Sequence, residues 1–147
     1  MDSRGVAPVA GKLLAAGIAV LYIAGTTSLL LGGVVPEYRT AAAEELSERV
    51  LADAAATIER AVPDSDADVD VQLRRDLPVA IRDAGYTLVL RNRTLALDHP
   101  RDRLDTRTNL SVPPGVETAG SAWDSGEPFV VTVSGDGTNR TVELEGR

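Results

Sequence analysis

Residues 13–35 read LLAAGIAVLYIAGTTSLLLGGVV, a run without one charged side chain. At about 1.5 Å rise per residue such a helix spans roughly 34 Å, enough for a hydrocarbon core of about 30 Å. In lipid only a helix or a closed barrel satisfies its own backbone, so the run predicts a transmembrane helix over residues 13–35. A secretory signal has a shorter apolar core, of about 7–15 residues, followed by small residues at a cleavage site. Here Val34, Val35 and Pro36 follow, and the segment reads as a retained anchor contacting the lipid bilayer.

Outside that run the chain is strongly charged. It holds 22 acidic and 15 basic residues, a formal net charge of −7, and Lys12 is its one lysine. Phosphate binding needs a basic stripe, and none is visible, so nucleic acid is excluded as a partner. An acidic, lysine-poor chain stays soluble where salt screens charge over only about 3 Å, which points to an extreme halophile as its source. Cysteine is absent, which removes disulfides and thiolate metal sites.

All three asparagines head acceptor triplets: Asn92-Arg93-Thr94, Asn109-Leu110-Ser111 and Asn139-Arg140-Thr141. Ser and Thr together make 20 of 147 residues, so chance alone would give this register about three times in a thousand. The triplets point to glycosylation and hence to export of the larger part of the chain. Positive charge does not decide orientation, because Arg4 and Lys12 precede the span while Arg39 and Arg49 follow it. The triplets do decide it. They place residues 1–12 inside the cell and the C-terminal domain outside, in a single-pass cell-membrane topology.

Residues C-terminal to the span suffice for one hydrophobic core. Pro36 cannot donate to a helix ladder and predicts a bend. Residues 37–62, EYRTAAAEELSERVLADAAATIERAV, then place Leu46, Val50, Ala54, Ile58 and Val62 on one stripe, with Pro63 as a stop. Period-two alternation follows in Val69, Val71 and Leu73. A hairpin is expected over 85–98 with its turn at Arg91-Asn92, and a second joins 129–134 to 138–145 through Gly135-Asp136-Gly137. Short strands are expected at 108–112 and 116–123, with a charged loop over 100–107. The fold class is α+β: an N-terminal transmembrane helix, a bend, and an amphipathic helix packed on five or six antiparallel strands within residues 66–147.

Chemistry-bearing motifs are sparse. His99, the one histidine, lies beside Asp98, Asp102 and Asp105, and reads as a solvated turn residue rather than a general base. No nucleophile or phosphate-loop motif accompanies it, so neither enzyme activity nor a cofactor is expected. Asp64, Asp66, Asp68 and Asp70 resemble the front of a calcium loop, but its glycine and closing glutamate are missing. No metal site is expected there. Trp123 is one of five aromatic residues and is expected to fill the core rather than front a recognition loop.

The start of the chain, DSRGVAPVAGK, leads straight into the apolar run. This arrangement resembles the haloarchaeal type IV pilin-like proteins, in which a short charged leader ends in Arg-Gly before a Val-Ser-Pro-Val segment and a hydrophobic helix. The resemblance implies cleavage by a prepilin-type peptidase after Arg4 and Gly5, leaving Val6 as the new N-terminus. Pro8, Val9 and Gly11 match the following positions. Ala7 stands where the family usually has serine, and Lys12 adds a charge suited to headgroup snorkelling but not to an apolar filament interior. The implied function is a non-enzymatic structural or accessory subunit of an archaeal surface filament or related secretion machinery. The alternative is an anchored extracytoplasmic scaffold that does not polymerise. Small residues four apart, Gly11, Ala15 and Ala19, then Ala24, Ser28 and Gly32, would let the helix pack against other pilin-like subunits.

Overall fold

A computed structural model describes residues 6–63, 68–136 and 139–146. The chain divides into two compact units between Ala41 and Ala42. The first holds helix α1 (Val6–Leu29), a π-helical turn (Leu30–Val34) and the opening turns of helix α2 (Val35–Ala61). Sequence placed the interruption at Pro36, whereas the change of hydrogen-bonding register comes one turn earlier. The Val35 N–H donates to the Leu30 carbonyl, an i→i+5 bond, and α-helical geometry resumes with Pro36 in the first turn of α2. Proline has no N–H to give and its ring clashes with the carbonyl four residues back, so a π turn just ahead of it falls where the regular ladder is interrupted in any case. The helix therefore changes register rather than stopping.

In the second unit α2 carries the core side of the domain. Ala43, Ser47, Val50, Leu51, Ala54, Ala55, Thr57, Ile58, Ala61 and Val62 are buried. This face is broader than the stripe expected from sequence, and Leu46 lies off it at 37% exposure. Ser47 and Thr57 enter the buried face because each hydroxyl donates to the carbonyl four residues back, on Ala43 at 3.1 Å and Asp53 at 2.8 Å. The helix ends at Ala61, because the residue before Pro63 is disfavoured in helical geometry.

Among the described residues eight strands follow: β1 (Val69–Arg75), β2 (Thr87–Arg91), β3 (Thr94–Asp98), β4 (Thr106–Asn109), β5 (Val116–Thr118), β6 (Ser121–Asp124), β7 (Phe129–Asp136) and β8 (Asn139–Glu145). They form two four-stranded sheets, in the orders β1-β7-β8-β5 and β4-β3-β2-β6. The single sheet of five or six antiparallel strands is thus replaced by two sheets, and β5 runs parallel to β8. The sheets meet where the Leu144 N–H donates to Ser121 Oγ at 3.0 Å and the Ala119 N–H to the Val142 carbonyl at 3.0 Å. The segment read as a loop contains a 3-10 turn (Asp102–Leu104), with Leu104 buried, and the start of β4.

One core joins these elements. Leu88, Leu90, Leu95 and Leu97 of the β2–β3 hairpin, Val131 and Val133 of β7, Val142 of β8 and Ile58 of α2 are fully buried. Each such side chain contributes about 1.5–3 kcal/mol relative to exposure. Trp123 is 1% exposed, edge-on to Phe129 at 5.2 Å and to Tyr86 at 6.0 Å, so the expected core role holds. Helix α2 is tied to both sheets: Arg75 of β1 forms a two-bond ion pair with Asp53, at 3.0 and 3.1 Å. The Ser111 N–H, just beyond β4, donates to Glu59 Oε1 at 2.7 Å.

Strand register gives this unit two distinguishable ends. Val69 pairs with Gly135, Asp136 with Asn139, and Val116 with Arg140, so these residues share one end. The Arg140 Nη1 donates to the Pro63 carbonyl at 2.7 Å, which identifies it as the end where α2 stops. The opposite end gathers Asp98, Asp124 and the chain between β3 and β4.

Candidate functional site

Three parts of the molecule bear on function. The first is α1, whose apolar side chains are exposed: Leu13, Leu21 and Leu29 at 69%, 73% and 73%. A soluble core helix would bury them. Thr26 Oγ1 donates to the Tyr22 carbonyl at 2.7 Å, satisfying a hydroxyl that lipid would leave unpaired. Gly11, Ala15, Ala19, Ala24 and Ser28 lie on α1 and Gly32 in the π turn, all exposed, and a β-carbon added to Gly11 or Gly32 meets nothing within 4 Å. Val6 is the first residue of α1, while Arg4 and Gly5 lie outside the described residues.

The second part is the set of acceptor asparagines. Asn92 and Arg93 occupy the β2–β3 turn with φ of 49° and 63°. Positive φ at both central residues is the twist-matched form of a two-residue hairpin, and asparagine tolerates it better than most side chains. The turn therefore sits one residue later than expected, with Arg91 opposite Thr94. Arg93 is held in this conformation from three directions. Its N–H donates to Thr118 Oγ1 at 3.1 Å, its Nη2 to the Val112 carbonyl, and its own carbonyl accepts the Leu110 N–H at 2.8 Å. Asn109 ends β4 opposite Thr94, whose hydroxyl donates to Asn109 Oδ1 at 3.0 Å. Asn139 opens β8. All three asparagines are exposed.

The third part is His99, and here the sequence reading is corrected. The ring is buried at 6% exposure. Its Nδ1 accepts the Arg101 backbone N–H at 3.0 Å and so carries no proton, leaving Nε2–H to donate to the Ile81 carbonyl at 2.9 Å. Asp105 meets the His99 backbone N–H, at 2.8 Å, instead of the ring. Nε2 thereby pins the β3–β4 connection to the short turn at 81–84, while Nδ1 braces the connection's own backbone. Sequence alone missed that turn, because its central residues, Arg82 and Asp83, adopt positive φ without glycine or asparagine.

Of the four alternating aspartates, Asp68 and Asp70 are exposed, Asp70 on the wet face of β1, and Asp64 and Asp66 lie outside the described residues. Arg140 was not singled out from sequence. It is buried, and among the described residues its Nε and Nη2 have no hydrogen-bond partner. A surface concavity of about 650 Å³ is bordered by Gln72, Arg74, Ser121, Glu143 and Glu145. Its mixed, mainly polar lining differs from the apolar lining usual in small-molecule pockets.

These features define an α+β protein with one N-terminal helix long and apolar enough to cross a membrane. The chain belongs to a family of unknown function, DUF7266, whose model matches residues 1–145. No curated protein and no solved structure matches it.

Proposed function

We propose that the chain is a membrane-anchored, pilin-like structural or accessory subunit of an archaeal cell-surface filament or related secretion machine. The observation that carries this reading is α1, a long helix whose described apolar side chains are all exposed. Lipid, or the equivalent helices of neighbouring subunits, would cover them. A peptidase cut after Gly5 would leave α1 as the new N-terminal segment. The Lys12 side chain is exposed on α1, which favours an anchored accessory subunit over the bulk component of an apolar filament spine. In this reading residues 1–12 lie inside the cell and the β-domain outside it.

Mass spectrometry of the membrane-extracted protein tests the assignment. An N-terminus at Val6, together with the protein in sheared-filament fractions, is the expected result. Val6 without filament association leaves an anchored scaffold, and an intact leader on the membrane-extracted protein overturns peptidase-dependent assembly.

A further inference from the structure

We propose that Asn92, Asn109 and Asn139 carry N-linked sugars that together cap one end of the β-domain. The inference rests on the reading that this domain is extracytoplasmic. The three acceptors are separated by up to 47 positions in sequence, from 92 to 139, yet strand register joins the first two and the chain from Leu110 to Gly115 links them to the start of β8, where the third stands. Asn92 lies in the β2–β3 turn, and Thr94, the hydroxyl residue of its triplet, pairs directly with Asn109. Antiparallel partners stand about 4.5–5.5 Å apart at Cα, so the first two acceptors are near neighbours. The third joins them through the segment that closes this end. Leu110 and Val112 bond Arg93, and the Arg140 N–H donates to the Gly115 carbonyl at 3.3 Å. The same end receives the stop of α2, through Glu59 to Ser111 and Arg140 to Pro63. Counted along α2, Ala61 lies roughly 29 Å beyond the Ala42 boundary at 1.5 Å per residue, so the acceptors sit where the helix finishes rather than where it enters the unit.

The opposite end carries no acceptor triplet. It presents Asp98, Asp102, Asp105, Asp124 and Glu127, all exposed. Three exposed acceptors on one end, with none on the other, divide the domain into a sugar-bearing end and a bare, charged one that also exposes Arg101 and Arg103. The chemistry of each attachment is an amide glycosylation. The asparagine Nδ2 bonds to the anomeric carbon of a lipid-phosphate-linked sugar as the carbon–oxygen bond to phosphate breaks. The phosphate leaves with the electron pair, and the amide proton passes to a base of the transferase. Asn109 Oδ1 is occupied by the Thr94 hydroxyl, which leaves Nδ2 free to act as the nucleophile.

The test uses full-length protein extracted from the native membrane. Peptide mapping is expected to find sugar on at least two of the three asparagines. Limited trypsin digestion then reads the geometry: Arg91 and Arg107, which flank the acceptors, are expected to be cut several-fold more slowly than in the Asn92→Gln, Asn109→Gln, Asn139→Gln variant from the same host. Cutting at Arg101 and Arg103, at the bare end, is expected to be equal in both proteins. A Thr94→Ala, Ser111→Ala, Thr141→Ala variant removes the acceptor hydroxyls and gives the same comparison should the glutamines disturb folding. Bare asparagines, sugar on one of them alone, or equal protection at both ends would overturn the cap. Bare asparagines with an N-terminus at Val6 would sink the cap while leaving the pilin-like reading intact.

Discussion

Helices α1 and α2 are close in length, 24 and 27 residues, and lie one π turn apart, yet they solve opposite solvation problems. Every described side chain of α1 is exposed, leucine and isoleucine included. Helix α2 keeps its charges outward and buries a face in which four alanines stand beside Ser47, Thr57 and the larger Val50, Leu51 and Ile58. The contrast separates two roles within one polypeptide: α2 belongs to the domain's own stability, while α1 has its energetics in what surrounds the protein.

Mutation breaks or sharpens this separation. Trp123→Ala should have the largest effect, about 3–5 kcal/mol of domain stability, because it empties the space between Phe129 and Tyr86. Denaturant unfolding followed by circular dichroism measures it. Ile58→Ala should cost about 2–5 kcal/mol in the same assay, whereas Leu21→Ala in α1 should leave domain unfolding within about 0.5 kcal/mol of the parent. Equal effects from these two would erase the distinction between the helices. Ile18→Asp should instead cost about 2.5–3.5 kcal/mol of membrane insertion, read as loss from the carbonate-resistant membrane fraction while domain unfolding stays unchanged.

A smaller effect comes from Tyr86. Burial pushes its phenol from 10.0 up to about 12, and its hydroxyl donates to the Pro78 carbonyl at 2.7 Å. The folded pKa lies above the unfolded one, so the contribution is fully present below about pH 10 and is lost as pH rises toward 12. Roughly 1–2 kcal/mol of stability should disappear across that window, and Tyr86→Phe should flatten the decline. The smallest effect belongs to the Asp53–Arg75 pair, which is partly solvated on both sides. A double-mutant cycle should return about 0.2–1 kcal/mol, falling with added salt.

The apolar run, the strand alternation at Val69, Val71 and Leu73, and both hairpins were legible because each is a local pattern with a short period. The breadth of the α2 face was not, since Ser47 and Thr57 count as polar until their hydroxyls are seen bonded to the preceding turn. Parallel pairing of β5 with β8 depends on residues more than 20 positions apart, and no local signal announces it. His99 looked solvated because its buried state is created by the carbonyl of Ile81, which arrives from a distant turn. The acceptor triplets were readable one at a time. Their common address was not, because it is set by strand register across the whole domain.

The locked imidazole also gives the molecule an internal reporter. A chain with one histidine yields one pair of ring nitrogen resonances, free of overlap. In the folded unit those two signals should differ widely, one pyridine-like at Nδ1 and one pyrrole-like at Nε2. Their merging in isotope-edited spectra would register release of the β3–β4 connection, even in a detergent micelle where bulk helicity reports mainly on the two long helices.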